Sequence, residues 1–215
     1  MTTLLLVRHG QAETTGRLLS GWTPGVHLAE SGRRQAEGLV ERLRGVKVDA
    51  MYASPLERCR ETAAPLERDR GLRATVRKDL GEIGFGSWTG QPLARLSKNR
   101  LWSRVQFLPS RMRFPEGESF AEAQARAVAA LETIAGDHPK GRVAVFSHAD
   151  LIRLVLAHYL GVHLDLFQRI AIDTASVSVV HLGEGMPMVL KVNDTGALGA
   201  LRERAKRPAR KGARR

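Results

Sequence analysis

The chain has 215 residues, of which 43% are hydrophobic and 26% charged, with 34 Lys and Arg against 22 Asp and Glu for a formal net charge of +12. That length suits one sizeable α/β domain rather than two, the composition is ordinary for a globular protein, and no apolar run reaches the length a membrane span needs. Cys59 is the only cysteine, which excludes an intramolecular disulfide and points to a reducing, cytoplasmic setting.

Met1-Thr2-Thr3 leads straight into the apolar run Leu4-Leu5-Leu6-Val7, with no room for an export signal, so secretion is not expected. The run ends in Arg8-His9-Gly10 and reads as a buried strand. Ligands of open α/β sheets collect at strand carboxyl ends. There an arginine offers fixed charged donors suited to phosphate, a histidine is neutral and nucleophilic near neutrality, and a glycine lets backbone approach a ligand closely. Gln11 to Leu28 is a loop punctuated by Gly16, Gly21, Pro24 and Gly25 that covers or flanks the strand end. From Ser31 the spacing of Ala36, Leu39, Val40 and Leu43 predicts an amphipathic helix. Asp49 to Ala53 follows as a short strand. Ser54-Pro55-Leu56-Glu57 then reads as a helix start, with Ser54 as N-cap, Pro55 at the first helical position and Glu57 completing a capping box. Arg58 falls in the first turn, where unpaired N–H groups favour anions; a solvated surface arginine is the competing reading.

Leu72 to Val76 alternates as an edge strand would. Leu80 to Gly90 is too glycine-rich for a helix and reads as a structured loop anchored by Ile83, Phe85 and Trp88. Such neighbours raise the pKa of a carboxylic acid, which makes Glu82 a candidate general acid, with a solvent-exposed loop glutamate as the alternative. Gln91 to Pro115 has no clean period and reads as an insert, at about 91–117, forming a lid or substrate wall. Its Arg95, Lys98, Arg100, Arg104, Arg111 and Arg113 either attract an acidic substrate or are simply solvated. Ser119 and Glu122 form a second capping box, opening a helix whose buried stripe is Phe120, Ala123, Ala127, Leu131 and Ile134 and which ends near Gly136. Arg142 to Ser147 is another buried strand, delivering His148 ahead of a mostly apolar helix. Ala175 to Leu182 and Met188 to Asn193 close the fold as a hairpin. Between Arg202 and Arg215 stand eight Lys and Arg and one Glu, a net of +7, leaving +5 for everything before them. Residues 1–199 are therefore read as one domain and 200–215 as a basic tail, expected to be disordered and to touch nucleic acid only nonspecifically.

Arg8 with His9, Arg58, and His148 all follow short apolar strands. Right-handed crossovers in a parallel sheet bring those strand ends to one edge, so two arginines and two histidines can surround one anion, most simply a phosphate. With Leu5-Leu6-Val7-Arg8-His9-Gly10, Ser54-Pro55-Leu56-Glu57-Arg58-Cys59-Arg60-Glu61-Thr62-Ala63, Glu82 ahead of Gly86-Ser87-Trp88-Thr89-Gly90, Gly117-Glu118-Ser119 and Phe146-Ser147-His148-Ala149 in this order, the chain resembles the histidine phosphatase superfamily, the phosphoglycerate mutase-like proteins, from residue 3 to about 195. The resemblance implies a three-layer α/β/α sandwich around a mostly parallel sheet. It also implies phosphoryl transfer without a metal or other cofactor: His9 as nucleophile, Arg8, Arg58 and His148 neutralising the phosphoryl oxygens, and Glu82 protonating the leaving oxygen. The usual phosphate-contacting asparagine after the first motif is missing here. Thr15 and Ser20 are the candidates to replace it, and Ala149 stands where glycine is frequent, still offering its backbone N–H. The expected partner is a small phosphorylated metabolite hydrolysed in the cytoplasm; a phosphomutase is the enzymatic alternative, and a phospho-ligand or nucleic-acid binder the non-enzymatic one.

Overall fold

Strand β1 (Thr2–Arg8) carries the leucine-rich run at the centre of a six-stranded sheet, in a computed structural model that describes residues 1–196. The basic run read at 200–215 lies outside the described residues. Leu4 and Leu6 belong to one buried cluster and Leu5 and Val7 to another. Both faces of the strand are covered, which is why its run is continuously apolar rather than alternating.

The sheet order is β3-β2-β4-β1-β5-β6, with β2 (Ala50–Ala53), β3 (Ala74–Val76) and β4 (Arg142–Ser147) parallel to β1, β5 (Val177–Leu182) antiparallel to β1, and β6 (Met188–Asp194) antiparallel to β5. Helices α1 (Glu30–Arg42) and α2 (Glu57–Arg70) connect β1 to β2 and β2 to β3, and their Leu39 and Leu66 lie in the cluster with Leu5 and Val7. On the other face α5 (Phe120–Asp137) and α6 (Ala149–Leu160) pack with Leu4 and Leu6. This is the expected three-layer sandwich around a mostly parallel sheet. Among the described residues no helix is long and apolar enough to cross a membrane.

Register decides where the chemistry gathers. Val7 of β1 and Ala53 of β2 both stand opposite Phe146 of the intervening β4, so three parallel strands end in one row. The next residues lock that row: the His9 N–H donates to the Ser147 carbonyl at 3.0 Å and the Ser54 N–H to the Phe146 carbonyl at 2.9 Å.

Two local expectations need correction. Helix α2 begins at Glu57, with extended backbone at Leu56 and no side-chain cap. Ser54 is instead drawn inward, its Oγ 2.8 Å from His148 Nε2, and Glu57 Oε1 accepts from the Gly25 N–H at 3.2 Å. An imidazole buried out of reach of bulk solvent needs a partner more than a helix end that can find one elsewhere. The last hairpin also starts later than its apolar pattern suggests, because Ala175 sits in the left-handed region at φ 56° and its N–H bonds back to the Arg8 carbonyl. The capping box of α5 forms as read, with the Glu122 N–H on Ser119 Oγ at 3.2 Å and the Ser119 N–H on Glu122 Oε2 at 2.9 Å. The insert folds into α3 (Leu93–Leu96), α4 (Trp102–Phe107) and a short 3-10 turn.

Candidate active site

Outside the carboxyl ends of β1 and β4 lies a cavity of about 310 Å³, with Arg8, His9, Arg58 and Glu82 in its wall. His9 is 7% exposed. Its Nδ1 lies 2.7 Å from the Gly10 carbonyl, which can only accept, so the proton sits on Nδ1 and the lone pair on Nε2. Burial first, and then the charge of Arg58, press its pKa down to about 3 against the pull of that carbonyl. The ring is therefore neutral across the physiological range. Gly10 serves the fold rather than a ligand: a Cβ there would stand 2.6 Å from the Gly32 carbonyl, where the start of α1 presses against the motif.

Two guanidinium groups flank the imidazole. Arg8 donates from Nη1 to the Ile172 carbonyl at 2.7 Å and Arg58 from Nη2 to the Gly21 carbonyl at 2.9 Å. Arg8 Nε and Arg58 Nη1 are buried and have no partner among the described residues. Unpaired buried donors on permanently charged groups are costly unless an anion completes them.

His148 is wholly buried and lies behind the cavity rather than in its wall. Its Nδ1 accepts from Arg58 Nη2 at 3.2 Å, which fixes the proton on Nε2, facing Ser54 Oγ at 2.8 Å. Its ring centroid is 5.3 Å from that of His9. Burial, followed by the charge of Arg58, holds its pKa well below the usual imidazole range. Cys59, 3.5 Å from the same ring, is pushed up to about 12 by burial and stays an inert thiol.

Glu82 enters on the loop between β3 and α5, its side chain 12% exposed, with Oε1 accepting from the Ile83 N–H at 3.0 Å and Oε2 3.8 Å from His148 Nδ1. Its backbone carbonyl accepts from Trp22 Nε1 at 2.7 Å, while Arg126 donates to the carbonyls of Asp79 and Gly81 at 2.7 and 3.1 Å and pairs with Glu118. Burial, reinforced by the charge of Asp150, pushes the Glu82 carboxyl up to about 7 in spite of Arg58 and Arg8.

Thr15, Ser20 and Ala149 all line the cavity. The two hydroxyls are already engaged: Thr15 Oγ1 accepts from the Ala12 N–H at 3.0 Å, and Ser20 Oγ shares a 2.6 Å hydrogen bond with Thr14 Oγ1. The insert supplies a wall, through Leu93, Trp102, Val105 and Gln106 among others. Its cations do not: Arg95, Lys98, Arg100, Arg104, Arg111 and Arg113 are all exposed and none lines the cavity, so the solvated reading of them holds. Sequence reading missed two charged members of the wall, Asp150 and Arg153. Their signal was present as an opposite-charge pair at i and i+3 in the first turns of an otherwise apolar helix, directly after His148.

The family model described as the histidine phosphatase superfamily (branch 1) matches residues 4–195. Phosphoserine phosphatase 1 of Hydrogenobacter thermophilus is 32% identical over 206 residues, covering 93% of this chain and 95% of its own. A bifunctional protein of Mycobacterium tuberculosis is 33% identical over 208 residues, which is 92% of this chain and 55% of its own, so the chain spans about half of that relative. The solved structure of YhfR from Bacillus stearothermophilus superposes with a TM-score of 0.85 at 27% identity, over 90% of this chain and 98% of that one.

Proposed function

Because the chain belongs to the histidine phosphatase superfamily, branch 1, we propose that it hydrolyses a small phosphorylated metabolite through a phosphohistidine formed on His9. Support comes from one juxtaposition: a neutral imidazole with its lone pair on Nε2, two guanidinium groups with unfilled donors, and a carboxylic acid that keeps its proton up to about 7, all in one cavity wall.

In this reaction His9 Nε2 attacks phosphorus and the bond to the alcohol oxygen breaks. The leaving oxygen takes the Glu82 proton, and Arg8 and Arg58 hold the nonbridging oxygens through the charge shift. Glu82, now a carboxylate, then takes a proton from water as that water attacks phosphorus. The P–N bond breaks, giving orthophosphate and restoring both His9 and the Glu82 acid. His148 acts from behind the wall, keeping Arg58 in place as an uncharged acceptor. A ring that stayed neutral there adds no competing positive charge and leaves the full guanidinium field to the phosphoryl group.

The test is phosphate release from p-nitrophenyl phosphate and from sugar, glycerate, amino acid and nucleotide monophosphates, in EDTA, by the native protein and by His9→Ala. Release that survives the chelator and is lost in the variant supports the histidine nucleophile. Release that persists undiminished in His9→Ala, or interconversion of phosphoglycerates without hydrolysis, overturns it.

A further inference from the structure

Resting on that reading, we propose that the cavity selects phosphomonoesters whose alcohol carries a zwitterionic head, an ammonium taken by Asp150 and a carboxylate taken by Arg153. Once Arg8, Arg58 and Glu82 are assigned to the phosphoryl group and its leaving oxygen, Asp150 and Arg153 are the only charged residues left in the cavity wall among the described residues.

The two stand side by side on α6, with Arg153 Nη1 donating to Asp150 Oδ1 at 2.8 Å and Arg153 Nε to the Ile170 carbonyl at 2.9 Å. Each keeps one valence open: Asp150 Oδ2 and Arg153 Nη2 make no hydrogen bond among the described residues, and the side chains remain 30% and 26% exposed. A zwitterion laid against this pair in the opposite sense adds two charge-assisted hydrogen bonds without breaking the one already there. A purely anionic head gains at Arg153 but is set against Asp150, a purely cationic one meets the reverse, and a neutral head gains from neither. The remaining wall, with Leu93, Val105 and Trp102, the last stacked on Trp88 at 6.1 Å, adds no further ionic group to compete for the head.

Three probes separate the possibilities: O-phosphoserine carries both charges, 3-phosphoglycerate keeps the carboxylate and replaces the ammonium by hydroxyl, and O-phosphoethanolamine keeps only the ammonium. We expect kcat/KM for O-phosphoserine to exceed the other two by about tenfold or more, and Asp150→Asn to cut its ratio to 3-phosphoglycerate by about 10- to 100-fold. The asparagine retains an oxygen for Arg153, and Asp150→Glu, which keeps the charge at a shifted position, should retain part of the ratio. Dissociation constants measured in His9→Ala should order the three probes in the same way. Equal kcat/KM for the three probes overturns the proposal, as does an Asp150→Asn effect that lowers all three alike and moves the alkaline limb of the pH profile, because Asp150 would then act on Glu82 alone. Turnover of p-nitrophenyl phosphate without any head-group preference sinks this inference and leaves the hydrolase reading standing; no release from any ester sinks the hydrolase reading.

Discussion

His9 and Glu82 are moved in opposite directions by the same cause, since burial disfavours whichever form is charged. The imidazole falls to about 3 and the carboxyl rises to about 7, which leaves a base without its proton and an acid with one at the same pH. In the free enzyme the alkaline limb then belongs to Glu82, with kcat/KM falling as pH rises through about 7. The acid limb belongs to the substrate's own second ionisation at about 6, because His9 is neutral far below that. Glu82→Gln should abolish the alkaline limb and slow alkyl phosphates by about 10²–10⁴-fold. With p-nitrophenyl phosphate, whose leaving group needs no proton, the same variant should release a stoichiometric burst of phenolate and then stall, since the phosphohistidine has lost its base. An equal loss on both ester types, with no burst, would show that Glu82 does not act on the leaving oxygen. The same shift has a cost for folding. Between pH 4.5, the ordinary value, and about 7 the folded chain holds a proton at Glu82 that the unfolded chain has released, so stability is lost as pH rises through this window. Glu82→Gln should therefore raise stability at pH 8 by on the order of 2–3 kcal/mol relative to its effect at pH 4.5; melting temperatures that change equally at both pH values would exclude it. Glu82 was legible in the sequence because its apolar neighbours Ile83, Phe85 and Trp88 are adjacent in the chain. Asp150 was not, because what marks it out is its place in a wall made by residues far away in sequence.

At the scale of elements, two serines that look alike in the sequence have different work. Ser119 and Ser54 each precede a glutamate by three residues, and local spacing alone assigns both to helix caps. Only Ser119 caps; Ser54 faces His148, and that preference is set by a strand end more than 90 residues later. Ser119→Ala should cost about 1 kcal/mol of stability and leave the pH dependence of turnover unaltered. Ser54→Ala should instead leave His148 Nε2 without its acceptor, and through Nδ1 loosen Arg58, so the loss falls on kcat and on phosphate affinity together. A Ser54→Ala variant with native turnover would show that the His148 contact does not position Arg58. The strands and the long helices were legible because each carries its own apolar period. The start of α2 and the true reason for Gly10 were not: the close approach of Gly10 to Gly32 is a contact between two elements, invisible to a reading that moves along one.

Across the whole molecule, the site exists only where the sheet is assembled. Arg8 comes from the end of β1, Arg58 from α2 beyond β2, and Glu82 from the loop after β3, so the proposed anion, held by Arg8 and Arg58 beside Glu82, ties together segments spread over 75 positions of the chain. The net charge of +12 does not create this preference, as the cations of the insert are all exposed and outside the cavity. In the proposed reading, what creates it is the pair of unpartnered buried donors on Arg8 and Arg58. Inorganic phosphate should accordingly act as a folding ligand. At about 100 times its dissociation constant, binding to the native state alone contributes roughly 2.7 kcal/mol, which for a chain of this size raises the melting temperature by roughly 5–10 °C. Chloride at matched ionic strength should not reproduce it, because screening of surface charge is not coordination of a tetrahedral oxyanion. Arg58→Met, which keeps much of the buried volume and removes the donors, should lower the phosphate-dependent part of the rise while relieving the strain of an uncompensated charge in the free protein. A phosphate effect that chloride matches, or that Arg58→Met leaves intact, would place the anion on the basic surface and remove the two arginines from the site.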